Sequence, residues 1–152
     1  MSHAIAIALF LHLFAMAVWL GGMVFAHFCL APSLADLTPQ ARLPVVAAAL
    51  GRFFNWVGTA VIVLLLTGVF LMGEFGGIHA PWPLHAMAGL GVLMMLVFGH
   101  VRFAEYPRIQ RAVQAERWPE GARVVAKVRM LVLLNLVLGT AVVALAAMGR
   151  GF

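Results

Sequence analysis

Charge is scarce in this sequence: Asp, Glu, Lys and Arg together make up 10% of its residues, against 64% hydrophobic ones. The mean hydropathy is +1.05. A water-soluble domain, in which about a quarter of the residues are charged, is thereby excluded. Cysteine is nearly absent as well. The single Cys29 forms no intramolecular disulfide, and without a CxxC or CxxCH motif neither a cysteine-held metal cluster nor covalently attached haem is available. Any haem here is of the non-covalent b type, and Cys29 reads as a small apolar residue near a helix end. Regular alternation of apolar and polar residues is missing too, which excludes the strands of a membrane barrel. No internal repeat aligns along the chain.

What the chain does have is long apolar runs. Residues 4–30, 53–72, 83–103 and 128–148 each come close to the roughly 20 residues that an α-helix needs to cross the hydrocarbon core. The expected fold is all-α, an integral membrane bundle of four transmembrane helices forming a single domain over residues 1–152. The first run is longer than a signal-peptide core and has no basic leader, so it is expected to remain in the mature protein. Ser2 is a candidate N-cap, and Pro32 is expected to end the first helix at Ala31. The following segment, with Pro39 and Pro44, is expected to be at most partly helical.

The ten basic residues set an orientation. Arg42 and Arg52 lie in or beside the first connection, and Arg102, Arg108, Arg111, Arg117, Arg123, Lys127 and Arg129 in or beside the third. Only Arg150 falls on the opposite side. The positive-inside rule puts both basic connections in the cytoplasm and both termini outside, as in a multi-pass protein of a bacterial inner membrane. Topology therefore accounts for the formal charge of +5. A nucleic-acid partner is not expected, because these residues flank helix ends rather than forming a binding element.

Histidines carry the functional signal. His12 and His27 lie in the first run, His85 and His100 in the third, and each pair is 15 residues apart. At helical pitch that spacing is a rise of about 22 Å and an angular offset of roughly 60°. Intramembrane imidazoles are costly and want partners. Helices one and three run in the same direction, so His12 can pair with His85 at one level and His27 with His100 at the other, all facing inward. Two b haems with bis-imidazole ligation use this arrangement. Arg52, Arg102, Arg123 and Arg129 are available to haem propionates at the cytoplasmic level, whereas the other side offers Arg150 and His79. Gly21-Gly22 in the first helix and Gly89, Gly91 and Gly99 in the third are expected to admit another helix or a flat ligand. Asn55, near the cytoplasmic end of the second helix, is a candidate for an interhelical hydrogen bond, and Asn135, Gly139 and Thr140 are the only non-apolar interior residues of the fourth.

The segments LHLFAMAVWLGGMVF, LAPSLADL, ALGRFFNWVGTAVIVLLLTG, HVRFAEYPRIQRAV and VRMLVLLNLVLGTAVVALA resemble the small four-helix proteins of the CopD (copper resistance D) family over nearly the whole chain. More distantly, the sequence is similar to HemJ-type protoporphyrinogen oxidases, which bind b haem through a histidine of the first helix; His12 is the matching position. The HemJ pattern also has a lysine early in the third helix, where this chain has Ala86, Met87 and Ala88.

Two main function classes follow. One is a b-type membrane cytochrome that exchanges electrons with the quinol pool or a redox protein, its iron held by His12, His85, His27 and His100, its propionates met by Arg52, Arg123 and Arg129. The other is a copper-handling membrane protein in which His12, His85 and the methionines Met16, Met23, Met87, Met94 and Met95 offer ligands to Cu(I). A HemJ-like oxidase is a third. Small-residue helix faces permit a homodimer.

Overall fold

The computed structural model describes residues 2–148. Arg150 lies outside the described residues. Every regular element among them is helical, and four helices are long and apolar enough to cross a membrane: α1, His3–Ser33; α2, Pro39–Glu74; α3, Trp82–Gln114; and α4, Trp118–Met148. The chain is an all-α, four-helix, multi-pass membrane protein. Its large exposed side chains are apolar along the spans, Ile7, Phe10, Phe14, Leu66, Val69 and Leu96 among them, as lipid-facing surfaces require.

The helices run longer than their apolar cores, for local reasons. Ser2 caps α1 by accepting from the Ile5 N–H at 3.3 Å. Pro39 does not interrupt α2 but opens it, since a proline at the first helical position gives up only an N–H that has no partner there. Pro44 lies within the same helix, where its missing bond would have gone to Gln40, still close to the exposed start. The expected stop at Ala31 fails similarly. Around Pro32 the helix widens into a π turn, Phe25–Leu30, and the Ala31 N–H reaches back five residues to Ala26. Ser33 donates its hydroxyl to the Cys29 carbonyl at 2.8 Å.

The same device recurs in α3. A second π turn, Val101–Glu105, precedes Pro107, and the Tyr106 N–H reaches back five residues to Val101. A widened turn draws the carbonyl four residues upstream away from the proline ring, and the helix continues. In this way α3 extends to Gln114, well past the end of the apolar run at residue 103.

In the bundle, α1 packs mainly on α2, and α3 mainly on α4; α4 also touches α1 and α2. Helices α1 and α3 face each other across the interior, where the Trp19 and Phe98 rings meet at 6.1 Å and 76°. The central cluster contains Ala15, Trp19, Met23, Leu64, Met94 and Leu136. A second cluster, with Phe54, Tyr106, Ile109 and Val124, fills the end bearing the basic residues. Close approach depends on glycine at three places: a Cβ at Gly51 would collide with the Tyr106 hydroxyl, one at Gly22 would lie 2.6 Å from the Phe53 ring, and one at Gly139 would lie 2.8 Å from Leu20. Gly22 therefore receives a neighbouring side chain, and the flat-ligand reading is not needed for it. Gly89, Gly91 and Gly99 meet nothing within 4 Å, contrary to the expected contact surface.

Candidate functional site

His12 is set on the inner face of α1 and reaches α2. Its Nδ1 lies 2.8 Å from the Thr67 hydroxyl, and its ring rests on Gly68, with Cε1 3.4 Å from where a Cβ would be. The hydroxyl has one proton. Thr67 donates it to the Val63 carbonyl at 2.6 Å, as intrahelical threonines commonly do. The His12 Nδ1–H then donates to the Thr67 oxygen, which leaves the Nε2 lone pair free. A metal-ligating histidine is held in this way, its second nitrogen fixed by an outer partner.

Soft donors share the interior with it. Met16 follows His12 by one turn, which puts both side chains on one face of α1. Met23 and Met94 belong to the buried central cluster, and Met16, Met87 and Met95 pack against it. All five candidate methionines therefore belong to the interior or pack against it, whereas Met130 and Met148 are exposed. Methionine also fills irregular gaps well, and these five help to close the interior between the helices.

The other three histidines do not repeat the His12 arrangement. His85, in the first turn of α3, is exposed. His100 is exposed too, with its Nε2 3.2 Å from a Glu105 carboxylate oxygen. His27 lies in the first π turn, half-buried, and its Nδ1 has no partner among the described residues. The expectation that all four imidazoles face the interior therefore fails at His85 and His100. Between the two levels the interior is filled by Trp19, Met23 and Met94. A porphyrin slot between α1 and α3, with an imidazole on each side, does not fit this packing. Arg52, Arg123 and Arg129 are exposed at the basic end, and Arg123 donates to the Pro119 carbonyl of its own helix.

At that end the sequence reading overlooked a cluster. Glu105, its side chain 2% exposed, is the common partner of Lys127, Arg108 and His100, each about half exposed. The contact ties α3 to α4 and clamps the second π turn. Thr67 was missed as well. An acidic residue within a strongly basic stretch, and a threonine among eight apolar neighbours, were the available signals.

One more polar group belongs to the interior. Asn135, 3% exposed, donates its amide to the Met94 carbonyl at 3.3 Å, a bond between α4 and α3. Its Oδ1 has no partner among the described residues, an arrangement that costs about 1–3 kcal/mol when nothing else meets the oxygen. Asn135 is one of the residues lining a small crevice with Trp19, Met23 and Phe98. Asn55, by contrast, is exposed.

Among known protein families, the one described as copper resistance protein D matches residues 47–148, well over half of the chain. No curated protein and no solved structure matches. Thr67, Glu105 and Asn135 lie within the matched segment, and His12 precedes it.

Proposed function

Because the chain belongs to the copper resistance protein D family, we propose that it handles copper within the bilayer, with His12 as an intramembrane ligand. The family match over residues 47–148 carries this reading. The arrangement around His12 supports it: a bonded Nδ1, a free Nε2, and thioethers in or against the same interior cluster. Imidazole and thioether together suit Cu(I) better than a harder ion. Copper is cargo in this reading, and the side chains need only bind it and release it. The basic end faces the cytoplasm of a bacterial inner membrane, so that His12 lies toward the outside.

Haem b remains the rival, and a quinol or redox-protein partner stands or falls with it. Colour separates the two. Protein purified in detergent and incubated anaerobically with Cu(I) is expected to be colourless and to retain copper against a chromogenic Cu(I) chelator. His12→Ala is expected to lose the equivalent held there. A Soret band with a reducible α band in the purified protein, and no retained copper, would overturn the proposal in favour of haem.

A further inference from the structure

We infer that Arg52, Arg102 and Arg129 form a collar that binds the phosphate groups of anionic phospholipids at the basic end of the bundle. The three belong to different helices, α2, α3 and α4, and each stands where an apolar run ends: Arg52 before Phe53, Arg102 before Phe103, Arg129 after Val128. They share one level. Leu50, Phe54, Val101 and Val128 meet in a single buried cluster, and each of the three arginines is within two residues of a member. None of them enters the cluster; Arg52 and Arg129 are exposed, and Arg102 is half-buried.

Most other cations of this end are engaged by their own chain. Lys127 and Arg108 share Glu105, and Arg117 pairs with Glu120. Arg111 and Arg123 donate to the carbonyls of Pro107 and Pro119. Arg42, ten residues before Arg52, stands about 15 Å along the helix from this level. Among the described residues, Arg52, Arg102 and Arg129 have neither a carboxylate nor a carbonyl partner. Arg102 is held by aromatic rings instead, its guanidinium 5.4 Å from the centre of Tyr106 and 5.7 Å from that of Phe103. Stacking of this kind leaves the N–H edge of the guanidinium available.

Chemistry selects the ligand. An arginine at the edge of the hydrocarbon lays its stem on apolar surface and sets its head among the lipid headgroups. Phosphate is the acceptor that fits there, because the planar guanidinium meets two of its oxygens at once. Each arginine also has a large, strongly exposed apolar neighbour: Trp56 one turn after Arg52, at 72%, Phe103 beside Arg102, at 76%, and Met130 beside Arg129, at 73%. A cation next to an apolar surface matches an amphiphile, with phosphate and acyl chain joined, and not a soluble phosphate ion. A zwitterionic headgroup carries its own cation beside the phosphate, so unpaired arginines favour the anionic lipid.

The test uses the full chain in detergent with equal amounts of phosphatidylglycerol and phosphatidylcholine, and native mass spectrometry counts the lipids retained. Phosphatidylglycerol should be preferred roughly fivefold at each of three positions, the factor expected of one cation near an anionic surface. Arg52→Gln, Arg102→Gln and Arg129→Gln should each remove one position, and the triple variant should show no preference. A variant with Arg111→Gln, Arg117→Gln and Arg123→Gln loses the same charge from the same end and should keep all three. Equal losses in the two triple variants would reduce the preference to net charge and overturn the collar. No preference in wild type would overturn it too, as would displacement of the lipid by excess inorganic phosphate. A melting curve for each variant, followed by circular dichroism, separates lost binding from lost fold.

Discussion

Thr67 has a single proton to give, and giving it to Val63 determines which nitrogen of His12 is left for chemistry. Thr67→Val keeps the shape and removes the oxygen. Cu(I) affinity at His12 is expected to fall about 10–100-fold, and Thr67→Ser should restore most of it. Equal affinity in Thr67→Val and wild type, measured by chelator competition, would mean that the hydroxyl does not orient the ring. His12 was visible in the sequence because an intramembrane imidazole has few explanations. Thr67 was not: threonine is common in membrane helices, and only the approach of α1 to α2 brings it within 2.8 Å of a histidine 55 positions away. His85 and His100 misled for the complementary reason. Their spacing fixes rise and angle within one helix, but the neighbours decide which angle is interior.

Among the elements, the helix ends depart most from the sequence reading. The runs and their number were legible from hydropathy alone, because a span without water must bond its backbone internally. The ends were not, because proline was taken as a stop. Pro32 and Pro107 each follow a π turn by two residues, and the helix passes through them. In α3 the second of these turns is held by Glu105, whose carboxylate gathers Lys127, Arg108 and His100. Glu105→Gln should lower stability by about 1–2 kcal/mol, less than the 3–5 kcal/mol of breaking a fully buried pair, because its cationic partners remain half in solvent. Thermal unfolding in detergent measures it. An unchanged melting temperature would show that the clamp contributes nothing net.

For the whole molecule, nine of ten Lys and Arg residues lie in or beside the connections at one end. If that end is cytoplasmic, alkaline phosphatase fused to the C-terminus should be active, and a cytoplasmic reporter at the same position should be silent. The reverse pattern would invert the bundle and place His12 toward the cytoplasm. Charge asymmetry is readable from sequence because it needs no knowledge of packing; the pairing of α1 with α2 and of α3 with α4 emerges only in the folded chain.

That pairing has a consequence for biogenesis. The first hairpin leaves the ribosome with Arg42 and Arg52 as its only basic residues, a weak vote on orientation. The other seven arrive with the connection between α3 and α4. On the positive-inside rule the second hairpin therefore carries the larger share of the orientation signal, and it is synthesised last. Until then the first hairpin lacks α4, and the Asn135 side of the interior does not yet exist.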